Sequence, residues 1–241
     1  MRYMLTIEYD GSKFHGFQRQ KNYESVQAKL EETLEEILKT PVQIKGAGRT
    51  DAGVHAYGQV CHFDSIQLVP ENNLMRILNK KLQPYIYVKE VKYVDETFHA
   101  RINAVKKEYR YYINIGEYDP TKADYMYFYN RPLDIENIKL AMEYVKGTHD
   151  FKSFSKNKEI ENTIRTIELF DLNINNNILE FRIIGTGFMY NMVRIIMAIL
   201  IKIGEHKFEP IHMKEIIEGT NRKYAPWVAP SCGLYLWKVY Y

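Results

Sequence analysis

Cysteine is scarce in this chain. Cys61 and Cys232 are the two among 241 residues, far apart and in no CxxC pair. That spacing excludes a disulfide-stapled scaffold and a thiolate metal cage, and it points to ordinary thiols in a reducing compartment. Long apolar runs are missing as well. The longest, residues 187–203, is broken by Asn191 and Arg194. It is too short and too polar to span a bilayer and reads as a buried helix. The opening MRYMLTIEYDG alternates and carries charge early, unlike a secretory signal or an anchor. No membrane association is expected, and a cytoplasmic location is. Neither sign of charge dominates: 33 Lys and Arg stand against 30 Asp and Glu, for a net charge of +3. Such a balance permits a polyanionic partner without requiring one.

What is present is an ordinary globular mixture, 46% hydrophobic and 26% charged, long enough to bury a core without covalent staples. The 20 tyrosines and 11 phenylalanines suit RNA stacking, but sheets favour the same residues.

Periodicity orders the first part as strand, helix, strand, strand, helix, strand. Leu5, Ile7 and Tyr9 alternate with polar neighbours, and Asp10-Gly11 ends that strand. Val26, Leu30, Leu34, Ile37 and Leu38 recur at helical spacing behind Ser25, a capping residue. Val42 and Ile44 begin a short strand. Residues 58–63 read as the next strand, Leu74, Ile77 and Leu82 as a second helix, and residues 86–94 as a further strand. This βαββαβ order is that of a ferredoxin-like or RRM-like half-fold.

A second half repeats the theme loosely. Residues 107–115 are strand-like, and Ile135, Ile138, Met142 and Val145 mark a helix. Residues 164–172 and 178–184 read as a hairpin around an Asn-rich turn at 173–177. A buried helix over 190–203 ends at Gly204, a short amphipathic helix covers 212–218, and residues 234–240 close as a strand. The expected fold is α+β, with two ferredoxin-like halves, 1–100 and 101–241, around a central mainly antiparallel sheet and a binding cleft between them.

The informative segment is the loop Gly46-Ala47-Gly48-Arg49-Thr50-Asp51-Ala52-Gly53-Val54-His55-Ala56. A dinucleotide fingerprint fails here, because Asp51 stands where the third glycine belongs and a strand follows instead of a helix. A Walker loop fails for want of G-K-[ST]. An isolated Asp beside Gly more often caps a turn than performs chemistry, so the weight rests on the whole string.

GRTDAGVHA resembles the signature loop of the tRNA pseudouridine synthase A family. The resemblance covers nearly the whole chain: YDGSKFHGFQRQ, VQAKLEETL, GQVCHF, FHAR, KEYRY, GFMYNMVR and APSCGLYLWKV occur in order around it. It implies an isomerase with tRNA as its partner, acting on uridines of the anticodon stem-loop. It also implies a homodimer, and neither cofactor nor metal. Asp51 then matches the catalytic aspartate, which either adds covalently to the nucleoside or abstracts the C2′ proton to give a glycal-like intermediate. Arg194 matches the arginine that pairs with this carboxylate. A charge on an otherwise apolar helix agrees with that role, since unpaired it would be costly. Tyr109 matches the active-site tyrosine, placed to stack on the base or move a proton. Arg49 matches the residue that holds the flipped nucleotide, by filling its vacated place or gripping phosphate.

His55 has no evident catalytic task. Lys13, Arg19, Lys21, Arg101, Lys106 and Lys107 offer a track for phosphates, each being as readily a solvated charge. Glu108 before Tyr109 departs from the family pattern, and from sequence it would weaken local phosphate attraction. A non-catalytic RNA clamp would need an RNP1 pattern, which is absent. A glycosidase would need two carboxylates at the bond, and the loop has one.

Overall fold

The computed structural model describes residues 1–156 and 161–241. In chain order the elements are β1 (Arg2–Tyr9), α1 (Val26–Leu38), β2 (Lys45–Gly46), β3 (His55–Asp64), α2 (Glu71–Leu82), β4 (Ile86–Val94), β5 (Lys106–Asn114), β6 (Tyr127–Phe128), α3 (Ile135–Glu143), β7 (Gly147–Asp150), β8 (Ile164–Asn175), β9 (Ile178–Gly185), α4 (Met192–Gly204), α5 (His212–Glu218) and β10 (Leu234–Tyr240). They form two compact units, residues 1–105 with 235–241, and residues 106–234.

The first unit has the expected βαββαβ order. β1 pairs antiparallel with both β3 and β4, with Leu5 opposite Cys61 on one side and Val91 on the other. One face of this sheet carries Tyr3, Leu5, Ile7, Cys61 and Phe63. Leu30, Leu34 and Leu38 of α1 and Leu74, Leu78 and Leu82 of α2 complete the core. Ser25 caps α1 by accepting from the Ala28 amide at 3.3 Å. β10 returns from the far end of the chain to pair parallel with β3, Tyr235 opposite His55.

The strand expected at Val42 and Ile44 is displaced to the two residues of β2. The cause lies on α1. The amide of Val42 donates to Glu35 Oε1 at 3.3 Å and that of Ile44 to Glu31 Oε1 at 2.9 Å, so side-chain acceptors take the donors a ladder would use. Glu31 is buried and also receives Arg19 Nε at 2.7 Å and Gln27 Nε2 at 2.9 Å.

In the second unit β5 and β8 flank β9 antiparallel, β7 extends the sheet beyond β8, and β6 adds to β5 in parallel. The β8–β9 hairpin is tighter than the composition suggested. β8 runs on to Asn175, which pairs with Ile178, and Asn176 takes the left-handed conformation (φ 53°) that asparagine tolerates. The helix expected over 190–203 starts at Met192, behind Asn191 at φ 62°. Its Ile195, Ile196, Ile199 and Leu200 are fully buried. No described helix is long and apolar enough to cross a membrane.

His62 of β3 links two of the sequence blocks, GQVCHF and FHAR. The Ala100 amide donates to its Nδ1 at 3.1 Å, and the His99 ring meets it edge-on at 4.8 Å. Burial, aided by His99 and Arg2, lowers this imidazole from the usual 6.5 to about 4. The folded state therefore binds the proton more weakly than the unfolded one. The stability His62 contributes is fully present above pH ~6.5 and is lost as pH falls towards ~4, because protonation removes the lone pair that Ala100 uses. Allowing for solvent screening, this loss is on the order of 1–2 kcal/mol. Urea midpoints from pH 7 to 4.5 should fall in the wild type and fall less steeply in His62→Asn.

Candidate active site

The loop between β2 and β3 is fixed from three sides. Beneath it, Gln59 Nε2 donates to the Gly48 carbonyl at 2.8 Å and the Ala47 amide donates to the Val60 carbonyl at 2.7 Å. From β1, the buried Tyr9 hydroxyl meets Thr50 Oγ1 at 2.8 Å. Burial pushes the Tyr9 phenol well above its ordinary range, so it remains protonated as a hydrogen-bonding partner. From the segment between β1 and α1, the Phe17 amide donates to the Thr50 carbonyl at 3.1 Å, and the Gly53 amide donates to the Phe14 carbonyl at 3.3 Å. The Val54 amide bonds back to the Asp51 carbonyl at 3.1 Å, closing a tight turn over residues 51–54.

Two glycines make this clamp possible. Gly16 has φ +92°, and a Cβ there would stand 2.6 Å from the Thr50 carbonyl oxygen. A Cβ at Gly11 would stand 2.0 Å from the Val54 carbonyl oxygen. Both contacts are backbone against backbone, so no side-chain rearrangement relieves them. The supporting segment is itself anchored: the Val26 and Gln27 amides at the start of α1 donate to the Gly16 and Phe17 carbonyls at 3.2 and 2.9 Å. Asp51, half-buried, thus sits on a turn whose neighbouring backbone is held by β1, β3 and α1.

Arg49 is exposed on the same loop. His55 is buried; its Nδ1 accepts the Gly11 amide at 3.1 Å, and its ring stacks on Tyr235 at 4.6 Å. These contacts suit a structural imidazole that joins the loop's exit to the 3-10 turn after β1.

Tyr109 and Arg194 belong to the second unit. Tyr109 on β5 lies opposite Ile183 of β9, is buried, and meets the Phe188 ring edge-on at 5.0 Å. Arg194 lies in the first turn of α4 and is half-buried. Its Nε donates to the Ala229 carbonyl at 2.8 Å while the Ala229 amide donates to the Arg194 carbonyl at 3.0 Å, which fixes the guanidinium's direction. The neighbouring Tyr111 is fully buried and donates to the Pro230 carbonyl at 2.8 Å, a packing role.

Glu108 does not face solvent. It is buried, with Arg182 Nε and Nη2 on its two oxygens at 2.9 and 3.1 Å and Arg110 Nε at 3.0 Å. Instead of repelling phosphate beside Tyr109, it binds two arginines of the same sheet. Of the six cations considered for a phosphate track, Arg19 is paired with Glu31 and Lys106 with Glu168 at 2.6 Å. Among the described residues no group of three His, Cys, Asp or Glu side chains is arranged to hold a metal.

Sequence reasoning passed over the loop's supports: Tyr9, Gly11, Gly16 and Gln59. Their signal was the YDGSKFHGFQRQ block, and GQVCHF for Gln59, whose spacings show no chemistry because their work is close packing and hydrogen bonding to the loop. The family model described as tRNA pseudouridine synthase matches residues 5–103 and 141–241. The chain belongs to the tRNA pseudouridine synthase family. Relatives named tRNA pseudouridine synthase A include one from Geobacillus sp., 42% identical over 243 residues, covering 100% of this chain and 98% of the relative. One from Bacillus subtilis is 41% identical over 245 residues (100% and 99%), and one from Clostridium kluyveri is 42% identical over 239 (98% of each).

Replacing Tyr9 with Phe removes a buried hydroxyl partner from Thr50. The variant should lose about 1–2 kcal/mol in urea denaturation. A Thr50→Val change in that background should cost little more, as a double-mutant cycle would read.

Proposed function

We propose that this protein isomerises uridine to pseudouridine in tRNA, with Asp51 as the catalytic residue. The observation that carries the reading is the loop: one carboxylate on a turn whose flanking backbone is clamped by Gly11, Gly16, Phe14 and Phe17. The reaction breaks the N1–C1′ bond, turns the uracil and joins C5 to C1′. C5 gives up a proton and N1 gains one, so atoms and electrons balance without an oxidant or a second substrate. A carboxylate meets the need by adding to the nucleoside or by removing the C2′ proton, and a fixed turn lowers the cost of orienting it.

The remaining roles are proposals from the family resemblance. Arg194 is the cation that serves the carboxylate. A guanidinium whose direction is set by Ala229 suits such a task. Tyr109 contacts the target base, and its edge-on packing on Phe188 supports a fixed ring. Arg49, exposed beside Asp51, holds the flipped nucleotide. The substrate uridines lie in the anticodon stem-loop, the working form is a homodimer, and the compartment is the cytoplasm, a setting in keeping with two free thiols.

Tritium release from tRNA labelled at C5 of uridine tests this directly. The wild type should release tritium. Asp51→Asn should reduce turnover by about a thousandfold or more while binding tRNA within a few-fold of wild type. Turnover by Asp51→Asn near that of the wild type would remove Asp51 from the chemistry.

A further inference from the structure

Four arginines lie on the described strands: Arg2, Arg110, Arg165 and Arg182. Three hold carboxylates, Arg2 with Asp64 at 2.8 Å, Arg110 with Glu108 and Glu180, and Arg182 with Glu108. Arg165, near the start of β8, holds none among the described residues. Among the described residues its Nη1 donates to neutral acceptors, the Ile164 carbonyl at 2.6 Å and, at 3.4 Å, Asn162 Oδ1. The side chain is half-buried, and its partial burial disfavours the charged form, with no acidic neighbour among the described residues to offset that cost. A guanidinium stays charged under these conditions. The site is therefore one that an added anion would stabilise.

The position gives this cation a specific place. A Cβ at Gly187 would lie 3.5 Å from Arg165 Nε and 3.6 Å from its Cδ, so the guanidinium stem lies beside Gly187 with room for little more than a methyl between them. The next residue is Phe188, whose ring packs edge-on against Tyr109 at 5.0 Å. Arg165 therefore lies near the segment of residues 187–188 whose Phe188 packs on Tyr109, all within the second unit. Two backbone or side-chain carbonyl oxygens orient the guanidinium without neutralising it, the arrangement expected of a residue awaiting a phosphate.

We propose that Arg165 is a positioning residue that grips a phosphodiester of the substrate RNA. It contacts the RNA backbone and takes no part in the bond changes, so it acts on binding and not on turnover. The proposal rests on the tRNA-modifying reading, and its test separates the two.

The experiment compares wild type with R165A, R165Q and R165K. Tritium release gives kcat and KM at several salt concentrations, filter binding of unlabelled tRNA gives Kd over the same range, and thermal melting is recorded. R165A and R165Q should raise KM and Kd about tenfold near physiological salt and flatten the slope of log binding against log salt by about one. Their kcat should stay within about twofold of wild type, and R165K should recover most of the loss, as a phosphate contact allows. An unchanged salt slope, or a loss of kcat and melting temperature at constant KM, would overturn the proposal. Should R165A fail to fold, the R165Q and R165K pair decides: equal behaviour of the two refutes the contact. Absence of tritium release by wild type would count against the reaction, while the salt slope of binding would still judge Arg165.

Discussion

The turn that carries Asp51 depends on one backbone-to-backbone contact. Residues 14–17 lie against residues 50–53 so closely that position 16 has no room for a side chain, and two amide-to-carbonyl bonds close the contact. Tyr9, Gln59 and the first turn of α1 all act on this junction. The carboxylate at Asp51 is therefore carried on backbone that is already ordered, and less conformational freedom remains to be lost when a nucleoside binds. The core beneath β1 and β3 matters to function largely because it holds those two segments in register.

Charge is distributed with the same economy. A net charge of +3 says little about where free cations lie, because three of the arginines are held by the buried Glu31 and Glu108. Arg19 serves Glu31, which in turn takes the Ile44 amide; Arg110 and Arg182 serve the buried Glu108. Among the four arginines of the described strands, Arg165 is the one with no such carboxylate among the described residues. RNA affinity on this account comes from a few uncompensated cations at chosen places and not from a broad basic surface.

Much of this was legible in the sequence. Leu30, Leu34 and Leu38 at helical spacing, and Leu5, Ile7 and Tyr9 in alternation, fixed the elements around the loop because burial imposes those periods. The loop itself stood out as a string. Other features were hidden because they depend on contacts distant in sequence. Nothing local in Val42 and Ile44 shows that Glu35 and Glu31 will take their amides. Nothing in residues 234–240 shows that this strand returns to pair parallel with β3. Gly16 looks like any loop glycine until Thr50 is placed beside it. Glu108 read as an acid that weakens phosphate attraction because two arginines, one of them seventy-four residues away, had not yet been brought to it.

The central claim is that the clamp on the Asp51 loop is what makes its carboxylate effective. Gly16→Ala tests it most directly, assayed for tritium release in a single turnover with tRNA binding and melting temperature measured on the same sample. The account predicts a folded variant that binds tRNA within a few-fold of wild type and turns over about a hundredfold more slowly, since small misplacements of a catalytic group carry costs of that order. Wild-type turnover in a folded Gly16→Ala variant would contradict it.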